Sequence, residues 1–314
     1  MQKGQVRKAI SGFYYVYVDG QTYQTRGRGN FRVKNMAPLI GDFVDFESDN
    51  LTEGVLLDIY PRKNELVRPT VANVDCGVIV MSAIEPDFSS YLVDRFLVYL
   101  EANNISPIIY VTKIDLLDDK AKADMLQYKT YYEAIGYTMI LSDYPDTSSL
   151  DELVQTMGKG MAVFMGQSGA GKSTLLNQLM PELDLLTGEI STALGRGRHT
   201  TRHVELHPVG EALIADTPGF STIDLIDIEA VDLPSFFPDF EALRDQCRFA
   251  GCMHINEPNC RVKEAVASGE VAPYRYEHYL QFHEEIVGRK PMYIKKNKRE
   301  GACEHENCSI HIKC

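Results

Sequence analysis

Gly166-Gln167-Ser168-Gly169-Ala170-Gly171-Lys172-Ser173-Thr174 is the stretch that decides how this chain is read. It follows the apolar run Met161 to Met165 and opens a segment that places Leu175, Leu176 and Leu179 on one helical side before Pro181. Strand, glycine-rich turn, Lys-Ser and helix, in that order, is the context a phosphate-binding loop requires. The glycines let backbone N–H groups turn inward around a pyrophosphate, and the helix N-terminus adds its partial positive charge. Lys172 then reaches the β- and γ-phosphates, and Ser173 is placed to bind Mg²⁺. A tight turn that binds nothing is the competing reading, and the flanking strand and helix weigh against it.

Such a loop announces a nucleotide without naming the base. Leu213-Ile214-Ala215 is an apolar strand running into Asp216-Thr217-Pro218-Gly219, where Asp216 suits a hold on Mg²⁺ and the Gly219 amide can sense a γ-phosphate. Ile108 to Val111 is a second strand, and it ends in Thr112-Lys113-Ile114-Asp115. A carboxylate at Asp115 can accept from guanine N1–H and N2–H₂ together, whereas adenine offers no such donor pair. A wrong base would leave that carboxylate unpaired, which makes the discrimination large. Lys113 would lay its stem along the base and Thr112 would brace the loop. Alone the Thr-Lys-x-Asp turn is an ordinary surface turn; beside the other two segments it reads as the guanine contact.

The order of these segments is unusual. The guanine-reading turn (112–115) precedes the phosphate loop (166–174), which precedes Asp216, so the chain reads as circularly permuted. Around this core, residues 1–66 read as an all-β unit: Phe13 to Val18 closed by Asp19-Gly20, then Thr22 to Arg26, Leu39 to Phe46 and Gly54 to Tyr60. Short strands in that number suggest a small barrel, with an OB-fold as the common five-stranded form. Residues 67–223 alternate apolar strands (Cys76 to Met81, Ile108 to Val111, Thr138 to Leu141, Met161 to Met165, Leu213 to Ala215) with helical segments such as Tyr91 to Glu101 and Lys120 to Ile135. That alternation predicts a parallel sheet covered on both faces. Residues 224–300 read as helical and irregular, with Arg261 to Ser268 and Tyr274 to Val287 each stopped by glycine.

Cys247, Cys252, His254 and Cys260 fall within one short polar segment of this last part. Three thiolates and an imidazole at that spacing match a closed tetrahedral zinc site, structural because no position is left for water. The competing reading, four small buried hydrophobes, fits the surrounding Gly, Asn and Pro poorly. Cys76 sits inside a strand and reads as core. Cys303, His305, Cys308, His311 and Cys314 form a separate end over 301–314, read as a disordered or artificially appended tail.

Composition sets the outer limits. The chain has 314 residues, a formal net charge of −12 and seven cysteines, with no apolar stretch of membrane-spanning length and no export signal. A soluble cytoplasmic monomer is expected, and free thiols or metal ligands rather than disulfides. The charge is uneven: residues 1–34 hold seven basic side chains against Asp19 alone, and residues 289–299 hold six with no acid. Basic ends on an acidic body can meet phosphate locally, or be solvated faces.

In motif order, in its leading barrel and in its trailing cysteine cluster, the chain resembles the ribosome-small-subunit-dependent GTPase family RsgA. The resemblance covers about residues 1–290 and includes Gly27-Arg28-Gly29, Val67-Arg68-Pro69, Gly195-Arg196-Gly197-Arg198-His199-Thr200-Thr201 and Asp216-Thr217-Pro218-Gly219-Phe220. It implies GTP hydrolysis activated by the small ribosomal subunit, late maturation of that subunit, and rRNA contacts by barrel and zinc segment. It also implies that Thr200 or Thr201, here taken as Thr201, closes on Mg²⁺ when GTP is bound. Ser142 is the candidate for a last base-contacting loop, although Ser142-Asp143-Tyr144-Pro145 lacks the usual small Ser-Ala pair. Where many GTPases carry a water-orienting glutamine this chain has Phe220, so a slow intrinsic reaction is expected, with His199 and His203 as nearby water-positioning candidates. Nucleotide state is then expected to set the relative placement of barrel and zinc segment. Two other readings stand beside this one: an RNA-binding module with nucleotide as a structural ligand, and a P-loop ATPase.

Overall fold

The structure is a computed structural model that describes residues 1–28, 31, 37–67, 69–143, 146–183, 204–216 and 223–289, with the Asp216 side chain excepted. The barrel comes first. Strands β1 (Gln2–Ile10), β2 (Phe13–Val18), β3 (Gln21–Gly27), β4 (Phe43–Ser48) and β5 (Gly54–Ile59) pair in the order β1-β2-β3-β5-β4, and β4 closes on β1. The β3–β5 pair is parallel and the rest are antiparallel, the Greek-key barrel of an OB-fold. Aromatic and β-branched residues favour β2, and Asp19 and Gly20 both adopt positive φ, as the tight hairpin turn into β3 demands. Val6, Val16, Val44, Phe46 and Leu56 fill the interior.

Two expectations are corrected here. Gln2–Ile10 was not anticipated as a strand, and it is the longest of the barrel. The strand expected from Leu39 begins only at Phe43. Residues 39–42 instead form a turn in which the buried Asp42 carboxylate accepts from Leu39 N at 2.7 Å and from Arg62 Nε and Nη2 at 2.8 Å each.

A two-stranded ribbon, β6 (Glu65–Leu66) and β7 (Val71–Ala72), leads to the central sheet. There β8 (Cys76–Ser82), helix α1 (Ser90–Ala102), β9 (Ser106–Thr112), α2 (Asp119–Ala134), β10 (Thr138–Leu141), α3 (Ser148–Met157) and β11 (Gly160–Met165) alternate. Helix α4 (Lys172–Leu179) follows, then β12 (Glu205–Val209) and β13 (Ala212–Asp216). The strands lie in the order β10-β9-β8-β11-β13-β12, parallel except for β12. Every residue of β8 is buried, because alternate side chains enter two different cores. Val78 and Val80 pack towards α3 and α4; Ile79 and Met81 pack towards α1. That is the fully apolar strand a two-sided sheet requires.

Among the described residues, three further α-helices follow: α5 (Pro238–Glu241), α6 (Arg261–Ser268) and α7 (Pro273–Val287). They share a core with the sheet: Phe237, Phe240, Tyr279 and Phe282 belong to the same apolar cluster as Val93, Phe96 and Leu97 of α1. A buried ion network crosses that core. Asp94 of α1 accepts from Arg275 at 2.6 Å and from Tyr132 at 2.8 Å, and pairs with His278 at 2.6 Å. Arg275 also donates to Asp239, which accepts from Tyr131. At the other end of the sheet, β12 pairs with β1 at Glu205 and Lys8, whose side chains form an ion pair. Lys8, counted with the basic N-terminal face, is therefore spent on this joint.

Candidate nucleotide site and metal centre

Strands β8, β9, β10, β11 and β13 are parallel, so their C-terminal ends share one edge, the edge where open α/β sheets bind ligands. The phosphate loop leaves β11 there. Gly166 has φ +138° and sits so close to β8 that a Cβ would collide with the Val80 carbonyl, which only glycine avoids. Gly171, at φ +84°, ends the loop and caps α4, where Leu175 and Leu176 bury the apolar side. Lys172 folds back over the loop, its Nζ donating to the Gly166 carbonyl at 2.7 Å and the Gln167 carbonyl at 2.9 Å. Burial lowers its pKa to about 8. Ser173 is half-buried on the first turn of α4, Ser168 and Thr174 are exposed, and Ala170 is fully buried.

The Thr112–Asp115 turn leaves β9 beside it. Thr112 Oγ1 donates to the Ala170 carbonyl at 2.8 Å, joining the two loops directly. Lys113 takes a left-handed φ of 62°, and its Nζ donates to the carbonyls of Ile84 and Glu85 just past β8. Ile114 is buried and its N–H donates to the Ser142 carbonyl at 3.3 Å. Asp115, half-buried on the short 3₁₀ turn Ile114–Leu116, has no hydrogen bond or ion pair with the described residues. Ser142 lies at the end of β10, its Oγ accepting from Ser149 at 3.2 Å, while Ser149 in turn contacts the Tyr110 hydroxyl at 3.0 Å. Asp216 ends β13 on the same edge.

The Thr112–Asp115 turn and the phosphate loop thus meet on one edge of the sheet, joined through Thr112 and Ala170. Thr200, Thr201, His199, His203, Gly219 and Phe220 lie outside the described residues, as do Gly29, Arg68 and the 301–314 end. Sequence reasoning missed the turn after β8: Pro86 lies against Gly169, where an added Cβ would stand 3.3 Å from its ring. The available signal was its place at the C-terminal end of a parallel strand.

The metal-type cluster is also assembled. The ligand atoms of Cys247, Cys252, His254 and Cys260 all lie within 4.8 Å of one another. His254 Nδ1 stands 3.3 Å from Cys260 Sγ and 3.7 Å from Cys247 Sγ. A tetrahedral zinc with ordinary Zn–S and Zn–N bonds separates its donors by about 3.5–3.8 Å, so the four groups fit that ion. The surrounding loop is braced from two sides. Glu257 accepts from the backbone N–H groups of Met253 and Ile255 at 2.8 and 2.9 Å. Tyr276 and Tyr279 of α7 donate to the carbonyls of His254 and Met253.

A phosphate loop after β11, with the Thr-Lys-Ile-Asp turn on the earlier strand β9 and both opening on one sheet edge, defines a circularly permuted P-loop GTPase. Comparison with known proteins agrees. The sequence model of the RsgA GTPase matches residues 59–226, and that of the RsgA N-terminal domain matches residues 3–56. The chain belongs to the RsgA GTPase family. It is 59% identical over 295 residues to the small ribosomal subunit biogenesis GTPase RsgA of Enterococcus faecalis, covering 94% of this chain and 99% of the relative. It is 52% identical to RsgA 1 of Listeria monocytogenes, covering 93% of this chain and 100% of the relative. Among solved structures, YloQ, described as a circularly permuted GTPase, superposes with a TM-score of 0.81 at 44% identity, covering 93% of this chain and 97% of that one. YjeQ from Thermotoga maritima gives 0.80 at 32% identity, covering 92% and 99%.

Proposed function

We propose that this GTPase hydrolyses GTP to GDP and phosphate in the service of late small-subunit maturation, with the small ribosomal subunit as its activator. The observation that carries the nucleotide half of this reading is the Thr112–Ala170 hydrogen bond, which ties the Thr112–Asp115 turn to the phosphate loop. In this reading Thr112, Lys113, Ile114 and Asp115 hold the base. Gly166, Gln167, Ser168, Gly169, Ala170, Gly171, Lys172, Ser173 and Thr174 cradle the phosphates. Lys172 exchanges its two loop carbonyls for phosphate oxygens. Ser173 and Thr201 would hold Mg²⁺, with Asp216 behind them, and Gly219 would sense the γ-phosphate. An Mg²⁺ ion held there would supply positive charge to offset that of the phosphates.

The ribosomal half rests on the relatives named for small-subunit biogenesis and on the barrel surface. There Lys3 stands 4.0 Å above the Tyr60 ring, Arg7 3.4 Å above Tyr17 and Arg26 4.4 Å above Phe13. Cations seated on aromatic rings suit an RNA backbone with unstacked bases. The parts assigned are a barrel over 1–66, a GTPase body over 67–223 and a zinc segment over 224–300, in a cytoplasmic monomer. The buried Asp94–Arg275–Asp239 network changes one expectation. Moving the zinc segment against the GTPase body would strand charges in a low-dielectric core, so the two are read as one body.

Turnover of the purified chain, with and without small subunits, tests this directly. Stimulation by small but not large subunits is expected. A fast basal rate unchanged by subunits would refute the activator, and equal competition by ATP and GTP would refute the base assignment.

A further inference from the structure

Tyr110 of β9 belongs to the same apolar cluster as Val80, Ile140, Leu153 and Met157. A phenylalanine would pack there equally well, but the Tyr110 hydroxyl, in a residue only 1% exposed, needs a polar partner. It finds Ser149, itself buried on the first turn of α3, at 3.0 Å. Ser149 Oγ donates onward to Ser142 Oγ at 3.2 Å. A serine hydroxyl has a single proton, so Tyr110 must be the donor in the first bond. Three hydroxyls thus form one directed chain from β9, through α3, to the end of β10.

We propose that Tyr110 and Ser149 are positioning residues for base recognition: their hydroxyl chain fixes Ser142, and Ser142 fixes the turn that carries Asp115. The main chain of Ser142 bonds on both sides. Its N–H donates to the Val111 carbonyl at 2.8 Å, and its carbonyl accepts from the Ile114 N–H at 3.3 Å. The bonds from Leu116 N to Lys113 O and from Leu117 N to Ile114 O stay inside the turn, whereas the Ile114–Ser142 bond ties its backbone to another strand. Asp115 follows Ile114 directly and has no side-chain bond to the described residues, so its backbone alone places the carboxylate. At 3.3 Å the Ile114–Ser142 bond lies just beyond the ordinary N–H···O range, and a small displacement of Ser142 is enough to lose it. The hydroxyl chain opposes that displacement from the side of the core. Ser142 then acts through its carbonyl on the turn, while its hydroxyl serves as the end of the chain.

The proposal rests on the base assignment of Asp115 and predicts a change in base selectivity. Tyr110→Phe and Ser149→Ala are compared with the unaltered full chain. Affinities for GDP and for inosine diphosphate, which keeps N1–H and lacks the N2 amino group, are measured by fluorescent-nucleotide displacement. A displaced carboxylate forfeits two bonds to guanine and one to hypoxanthine. GDP affinity should therefore fall by about 3- to 10-fold in both variants, the effect of one weakened buried hydrogen bond or two. The preference for GDP over inosine diphosphate should narrow by about threefold. Tyr132→Phe is the control, since it removes another buried tyrosine hydroxyl, the one bonded to Asp94. It should lower the melting temperature and leave the preference unchanged. An unchanged preference in Tyr110→Phe and Ser149→Ala, or the same narrowing in Tyr132→Phe, overturns the assignment. Tyr110→Phe keeps the ring and decides the matter should Ser149→Ala fail to fold. An unaltered chain with no preference for GDP over inosine diphosphate would instead count against the base assignment of Asp115 itself.

Discussion

Thr112 Oγ1 donates to the carbonyl of Ala170 across 2.8 Å, although 58 residues of chain separate them. A further bond from the same hydroxyl reaches Met81 O at 3.3 Å, so one side chain ties the ends of β8 and β9 to the phosphate loop. The permuted order costs nothing in geometry, since parallel strands deliver their C-terminal ends to one edge whatever the order of connection. Thr112→Val keeps the shape and removes the donor. The Ala170 carbonyl, in a fully buried residue, then loses its partner at a cost of about 1–3 kcal/mol. GDP affinity should fall roughly tenfold, read by fluorescent-nucleotide displacement; unchanged affinity would mean that the tie does not position the loop.

Asp115, on the Lys113 turn after β9, makes no side-chain hydrogen bond or ion pair with the described residues. Asp115→Asn offers an amide N–H where the guanine N2 donor would sit, and two donors then face each other. A buried pair so mismatched costs about 10²–10⁴ in affinity. Xanthosine nucleotides carry an acceptor at that ring position and should gain what guanosine nucleotides lose. Competition binding with GDP and xanthosine diphosphate checks both halves, and a parallel loss of both would remove Asp115 from the base-reading role.

Lys172 supplies a pH prediction. Burial lowers its pKa to about 8 in the free protein, while a bound diphosphate favours the charged form and raises it. Affinity tied to that charge is therefore fully present below pH 8 and is lost as pH rises above it. GDP binding should weaken by about 5- to 10-fold between pH 7 and 9. Guanine itself begins to lose a proton at the upper end, so the comparison is with Lys172→Arg, whose charge does not titrate there. Parallel profiles for the two proteins would show that Lys172 does not carry the dependence.

The motifs were legible in the sequence because each is local. The phosphate loop, the Thr112–Asp115 turn and the Cys247–Cys260 spacing each need a few neighbouring residues of the right type. Strand β1 was not legible, for a physical reason. Its outward residues Lys3, Gln5 and Arg7 alternate with inward Gly4 and Val6, but the register shifts between Val6 and Lys8 and breaks the period. Strand β12 was hidden by Pro208, which a strand tolerates only where no ladder bond is needed from its nitrogen. The Asp94 network was invisible for a different reason: its members are separated by up to 184 residues, and each alone has the chemistry of a surface group.

The four zinc-type ligands predict a stoichiometry. Elemental analysis should find about one zinc per chain, and Cys252→Ser or Cys260→Ser should abolish most of it. Because Tyr276 and Tyr279 brace the same loop from α7, removal of the metal should lower the melting temperature without unfolding the chain outright. Complete unfolding on chelation would show that the ion, rather than α7, organises this segment.

The buried network makes the strongest stability prediction. Asp94 and Arg275 are essentially inaccessible, with side-chain exposures of 0% and 1%. Asp94→Ala leaves Arg275 with Asp239 alone and His278 without its carboxylate, and loss of one partner of a buried pair costs about 3–5 kcal/mol. For a chain of this size that corresponds to a fall in melting temperature of roughly 10 °C. The shape of the transition says more than its position. If α7 and the central sheet form one core, the unaltered chain should lose secondary structure around α7 and nucleotide affinity together, in one transition, and Asp94→Ala should separate them. An unaltered protein that already melts in two steps, with α7 leaving first, would show that the network holds the segment in place only weakly and would restore a zinc segment free to move with nucleotide state.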